Sequence, residues 1–444
     1  MKRMIACILL MLLTVLMPAC SSGWGQQANA PTYVPQGSLL PETYPDAGTS
    51  DSLFDPVTDC DNRFVSVETN LLEMEDMVIW QSFASPYILY YDKATGDSGA
   101  LCAKPECMHM EKQNNADCLA YMGPGSKPAS FCFYRGQIYW VGGYRQSGSY
   151  EQNALYRMNP DSSGKKLLFS FNPPDGHAPQ EYRIHRGRLY LRCVTNRVTD
   201  GVPGSSLAII STPIETKDFR VDYETEVPDT NPWSNIMRFI GDNVYFAYIY
   251  NAGEENGYVT KVIRHDINTG ENEEIISDGA LEGALTGFWI EPDGTMILAP
   301  YHKNTYRDMK IYRSVNGGPL EAFAPLCDEN GEFTTRFFSG GIMWGIKNSE
   351  DRKSKEIWIR DLEGNTLYKG PLPRDFLKGT VHEDETLLFA GMACGTDSIL
   401  MIYQFMRKDE ERSAGDVLPS VIQFLVQYRL TENGLEEQLL IAGT

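Results

Sequence analysis

"YRGQIYWVGG" (134–143) and "HRGRLYLRC" (185–193) are nearly the same phrase: a polar turn containing Gly, then a run of large apolar side chains. Ile, Tyr, Trp, Leu and Val suit a pleated, half-buried surface, and the turn supplies the left-handed residue that a tight hairpin requires. The phrase keeps returning. "EMEDMVIWQS" (73–82) precedes it, and "IGDNVYFAY" (240–248), "EPDGTMILA" (291–299), "FSGGIMWGI" (338–346) and "HEDETLLFAG" (382–391) follow, which makes seven. A second kind of element alternates with these, as in "LYYDKATGDSGAL", "VIRHDINTGENEEII" and "VQYRLTENGLEEQLL", again seven times.

The first-element strands start 45–60 residues apart (Met77, Gln137, Arg188, Asn243, Thr295, Gly341, Thr386). Four strands of about 5–6 residues with hairpin loops need roughly 40–50 residues, so each repeat is read as one four-stranded unit. No long segment has a 3.6-residue apolar period, and helices are expected to be few. A four-stranded sheet cannot cover its own faces, but a ring of such sheets packs each against the next. The sequence therefore predicts an all-β chain with a single seven-bladed β-propeller over residues 62–444. Six blades, eight blades and two stacked β domains are the alternatives. "NRFVSVETN" (62–70) alternates apolar and polar residues and is expected to pair with the C-terminal strands. "RKDEERSAGDVLPS" (407–420) reads as a loop insertion in the last blade.

The N-terminus bears on location. Lys2 and Arg3 precede an uncharged apolar run from Ile5 to Met17, the length of a signal-peptide core and short of the roughly 20 apolar residues that a spanning helix needs. The run ends in "LMPAC", with small Ala19 before Cys20, and this resembles the lipobox of bacterial lipoproteins. That resemblance implies a signal peptide over residues 1–19 and a lipidated Cys20 as the mature N-terminus. The alternative is an ordinary secretory signal. Residues 20–61 read as a linker: "SSGWGQQANAPTYVPQGSLLPETYPDAGTSDSLFDPVT" (21–58) is rich in Ser, Gly, Pro and Gln and has no periodicity. A flexible chain of this length spans roughly 30–35 Å, enough to hold a folded domain off a membrane surface. The expected location is the extracytoplasmic face of a bacterial cell membrane, with the lipid as the membrane partner.

Composition fits such a domain. Hydrophobic residues make up 42% of the chain, enough for a large core, and the net charge is −20. So acidic a surface repels nucleic acid and anionic headgroups. A polysaccharide or a protein remains as the expected ligand.

One stretch carries unusual chemistry. "LCAKPECMHMEKQNNADCLAY" (101–121) holds Cys102, Cys107, His109 and Cys118. Three thiolates and an imidazole suit a tetrahedral zinc ion, and Cys107 and His109, separated by one residue, point the same way on a strand. Thioethers from Met108 and Met110 add a copper(I) reading. Disulfides are the competing reading. Of ten cysteines, setting aside Cys7 and Cys20 leaves eight, an even number that permits up to four bridges in an exported protein. Because all four groups lie in one local loop, the role is structural in either case. "YDKATGDSGALC" (91–102), followed by Cys-x4-Cys-x-His and a later Cys, resembles uncharacterised β-propeller lipoproteins of gut clostridia and their relatives. The resemblance implies a propeller, a surface location and an anaerobic host in which disulfides are few. It implies no reaction.

Catalytic signatures are missing from the sequence. "DSSGKK" (161–166) lacks the Gly and Ser/Thr of a phosphate loop, "HEDET" is not a zinc-protease motif, and "DINTGENEE" (266–274) fits a hairpin turn better than a calcium loop. The remaining histidines, His177, His185, His265, His302 and His382, are scattered, and those at 265 and 382 are expected on exposed turns. Trp140, Trp289, Trp344 and Trp358 sit inside the repeats, where packing between blades is their expected fate. No catalytic residue is assigned. An extracytoplasmic binding module is the favoured function, with a polysaccharide hydrolase or lyase as the alternative.

Replacing Cys20 by Ala is expected to move the protein from the detergent phase to the aqueous phase in a detergent-partition assay. An unchanged partition would show that Cys20 carries no lipid.

Overall fold

In the computed structural model, each sequence repeat forms a four-stranded antiparallel sheet whose strands follow chain order. The structure describes residues 70–442 apart from 83–84, 108, 110–116, 123–130, 145–151, 175–176, 200–201, 228–235, 252–257, 278–279, 282, 292, 302–306, 316, 340, 348–355, 384, 386–387, 395–397 and 407–420. The leader, Cys20 and the linker lie outside the described residues. So do the expected closing stretch at 62–69 and the insertion at 407–420.

The seven sheets span 71–100, 132–171, 178–227, 236–276, 284–325, 333–371 and 388–442, and they form the expected ring of seven blades. No α-helix occurs among the described residues. The first strands of blades 2 and 3, 4 and 5, 5 and 6, and 6 and 7 pack on one another, which sets them around the axis.

Alternation builds the ring. In the second strand of blade 1, Met77–Gln81, Met77 and Ile79 enter an apolar cluster shared with blade 2, while Val78 and Trp80 enter one shared with blade 7. The second strand of blade 2, Gln137–Tyr144, divides in the same way: Ile138 and Trp140 face blade 1, and Tyr139 and Val141 face blade 3. In blade 7, Leu400 and Ile402 go to the blade 1 side, and Ile399, Met401 and Tyr403 to the blade 6 side. Successive side chains on a strand point to opposite faces, so a strand between two neighbours must be apolar at nearly every position. That accounts for the continuous apolar runs. Each of the seven junctions has its own cluster, and the four tryptophans named above are buried in the core, as their place in the repeats implied.

The turns match their geometry. Tyr134 pairs with Gln137 and His185 with Arg188 across two-residue loops. Both central residues of each loop have positive φ, at +48° and +72° for Arg135 and Gly136, and +43° and +74° for Arg186 and Gly187. This is the pattern of the type I′ hairpin, whose twist suits the flanking strands. At the hairpin containing Asp266, the carboxylate accepts hydrogen bonds from the Asn268 and Thr269 amides at 2.9 and 2.8 Å. "DINTGENEE" is thus a turn that satisfies its own donors.

Two expectations need correction. "HEDETLLFAG" aligns in sequence with the second strands of the other blades, yet Leu388–Cys394 is the first strand of blade 7, and the second is Ser398–Met406. First and second strands are both apolar, so composition alone does not separate them. His265 and His382, expected on exposed turns, are 2% and 0% exposed. The neighbouring blade covers the first, with Asp222 of blade 3 beside its ring, and Phe405 covers the second at 4.7 Å between ring centres.

Among the described residues, blade 7 and blade 1 share no strand. Their seam is an apolar cluster of Leu71, Val78, Trp80, Leu89 and Tyr91 against Ala393, Leu400, Ile402, Leu425, Leu440 and Ile441. Two hydrogen bonds reinforce it: Ser82 Oγ donates to Gln423 Oε1 at 2.8 Å, and Gln438 Nε2 to the Tyr91 hydroxyl at 2.5 Å. Trp80→Ala is expected to cost about 3–5 kcal/mol by leaving a cavity in the seam. Val221→Ala, at a position 42% exposed, should stay within about 0.5 kcal/mol, both read by urea denaturation.

Candidate metal centre

Cys102, Cys107, His109 and Cys118 come together, as their spacing suggested. Local hydrogen bonds explain how. The last strand of blade 1 ends at Ala100, and the chain turns at once, with the Cys102 amide donating to Ala100 O at 2.8 Å. A second turn over Lys104–Cys107, closed from the Cys107 amide to Lys104 O at 3.1 Å, brings Cys107 back toward Cys102. The returning chain is laced to the edge of blade 1: Ile88 N donates to Ala120 O and Met122 N to Pro86 O, each at 2.9 Å, with Tyr121 bridged to Tyr87. This places Cys118 opposite Cys102. The His109 ring stands edge-on to Tyr87, with centroids 5.7 Å apart.

The resulting geometry is tight. One donor atom from each of the four residues lies within 4.8 Å of every other. Cys102 and Cys118 are 3% and 1% exposed. Donors of a tetrahedral zinc shell with three sulfurs and one nitrogen stand about 3.5–3.8 Å apart, so little contraction separates this arrangement from a filled one. None of the six cysteines whose side chains are described (Cys102, Cys107, Cys118, Cys132, Cys193, Cys327) is in a disulfide.

Electrostatics single out the cluster from the other thiols. A hydrogen bond from the Cys118 thiol, helped by the nearby His109 ring, holds Cys102 well below the usual thiol range despite burial. Cys118 moves the opposite way, because it shares its proton with the Cys102 thiolate and is itself desolvated. By contrast, burial pushes Cys193 up to about 12 and also raises Cys327. Those two are inert apolar fillers, whereas the cluster is prepared to hold thiolate.

Two residues that sequence reasoning passed over complete the surroundings. Both belong to "DSSGKK", which in sequence reads only as a failed phosphate loop. Ser162 Oγ accepts a hydrogen bond from the Ala103 amide at 2.7 Å. Lys165 Nζ donates to Cys118 O at 3.1 Å and also to Tyr121 O. Burial lowers the Lys165 ammonium to about 8, partly opposed by the neighbouring cysteines of the cluster. The hairpin that carries them joins the third and fourth strands of blade 2. No motif marks these residues; only the fold brings that hairpin over the cluster.

The other candidates stay apart. His185 Nε2 lies 2.7 Å from Gly241 O of blade 4, and His382 Nδ1, in the connection before blade 7, lies 3.1 Å from Glu385 Oε2. His302 is outside the described residues, as are Met108 and Met110, on which the copper(I) reading leaned. In blade 3 the buried carboxylate of Glu181 sits between Arg183 and Arg192 at 3.1 Å from each. That is an ion cluster rather than the carboxylate pair of a glycosidase.

The chain matches no protein family and no curated protein. It is similar to several solved structures. One is acylaminoacyl peptidase of Pyrococcus horikoshii, at 10% identity with a TM-score of 0.45, covering 84% of this chain and 52% of that one. This chain therefore spans about half the length of that peptidase. Another is the β-propeller domain of the trilobed protease from Pyrococcus furiosus, at 10% identity with a TM-score of 0.42, covering 84% and 95% of the two chains. A third is an oligogalacturonate lyase in complex with manganese, at 10% identity with a TM-score of 0.34, covering 68% and 76%. These likenesses transfer no residue.

Lys165→Met is expected to leave two backbone carbonyls without their donor and to cost about 1–3 kcal/mol, measured by denaturant unfolding. The same variant should speed labelling of the cluster thiols relative to Cys193.

Proposed function

We propose that this chain is a lipid-anchored binding protein on the extracytoplasmic face of a bacterial cell membrane. Cys20 holds it there, the linker sets it off the surface, and the propeller presents its connecting loops to a polysaccharide or protein ligand. The observation that supports this most directly is where the strand side chains go. Their apolar faces are taken up by the seven inter-blade junctions, so the chemistry offered outward comes from turns and connections at the rims. In the cysteine and histidine cluster, the one concentrated reactive group among the described residues, Cys102 and Cys118 are buried, Cys107 and His109 are half-buried, and the donors lie within 4.8 Å of one another. The cluster therefore reads as a fastening within the ring and not as a place where substrate enters. A net charge of −20 disfavours nucleic acid and anionic lipid as ligands.

The test is a panel of bacterial and host polysaccharides and extracellular peptides, presented to the full chain in detergent micelles. Saturable binding with the ligand recovered intact is the expected result. Turnover of any member would replace this reading with the hydrolase or lyase alternative.

A further inference from the structure

We infer that Cys102, Cys107, Cys118 and His109 bind one zinc ion in a closed tetrahedral shell, and that this ion fastens the end of blade 1 to blade 2. The inference goes beyond ligand binding at the rims and does not depend on it.

Four observations carry it. All four donor atoms already lie within 4.8 Å of one another. Three sulfurs is an odd number, so a disulfide within the cluster strands the third. The other cysteines whose side chains are described sit elsewhere, Cys132 and Cys193 between blades 2 and 3 and Cys327 beside Thr334. His109 Nε2 is buried with no hydrogen-bond partner, a position that a metal bond would satisfy. The fourth observation is charge. Three thiolates, a neutral imidazole and a divalent ion sum to −1, and among the described residues no carboxylate joins the set. The Lys165 ammonium, held over the cluster by Cys118 O and Tyr121 O, supplies the balancing positive charge. Thiolates and imidazole exclude magnesium and calcium, which take oxygen ligands. A shell of three sulfurs and one nitrogen suits zinc better than other soft ions.

The consequence is mechanical. Cys102 follows the last strand of blade 1, Cys118 is laced to the edge of that blade, and both neighbouring backbones are bonded to the Ser162–Lys165 hairpin of blade 2. An ion between them ties two non-adjacent stretches of chain together at the junction of two blades. Each protonated thiol releases its proton to water as it coordinates.

The experiment measures metal content by mass spectrometry on full-length chain purified with reductant and without added metal, alongside cobalt(II) uptake and thiol titration. Expected are about one zinc per chain, thiolate-to-cobalt charge-transfer bands after exchange, and three thiols that become reactive only when chelator removes the ion. Cys118→Ser should lose the zinc. His109→Cys should retain it in an all-sulfur shell and stay folded, which separates loss of a ligand from failure to fold. Lys165→Met should weaken zinc binding by about 10–100-fold, as other groups around metal ligands do. Folded wild-type protein that holds no zinc and takes up no cobalt overturns the proposal. So does a disulfide among the three cysteines, stoichiometric copper in place of zinc, or a Cys118→Ser variant that keeps its full zinc content.

Discussion

The structure rests on one constraint: a blade has two apolar faces and can cover neither by itself. Burying a Val, Leu, Ile or Phe side chain contributes about 1.5–3 kcal/mol, while ordering each residue costs about 1–2 kcal/mol of backbone entropy. A lone four-stranded sheet leaves both of its faces in water. Only when a neighbour lies on each side do Met77 and Ile79 find blade 2 while Val78 and Trp80 find blade 7. The ring is the arrangement in which this requirement is met for every blade at once. It also explains why second strands such as Met77–Gln81 are buried along their whole length.

Much of this was legible in the amino acids. The repeated turn-then-apolar phrase gave the count of blades, and the type I′ turns at Arg135–Gly136 and Arg186–Gly187 follow from the residues that can adopt positive φ. The limits are equally specific. "HEDETLLFAG" reads as the same element as its six counterparts, which form second strands, and forms a first one, because first and second strands share one apolar chemistry. His265 and His382 look like turn residues in sequence and are buried in space, since a neighbouring blade is a long-range fact that no local window contains. The convergence of Cys102, Cys107, His109 and Cys118 was readable from spacing, whereas Ser162 and Lys165 reach the cluster from more than forty residues away along the chain.

The cluster and the Glu181 site show the same logic applied to buried charge. An ion removed from water must be compensated nearby. Glu181 meets two guanidiniums, and the Cys102 thiolate meets a thiol, an imidazole and the ammonium of Lys165. The compensating groups come partly from the same strand or loop, as Arg183 and His109 do, and partly from beyond it, as Arg192 and Lys165 do.

The seam between blades 7 and 1 has a further meaning for the first strand of blade 1. Among the described residues it is closed by side chains alone, and Asn70, just before that strand, has its Nδ2 bonded to Gln81 Oε1. A pull applied at Asn70 would therefore meet the ring at its split, as it would in a spring washer. Blade 1 can peel from blade 7 there while its opposite side stays fastened to blade 2 through the loop of Cys102 and Cys118, so the ring would open like a hinged clasp and not unravel strand by strand.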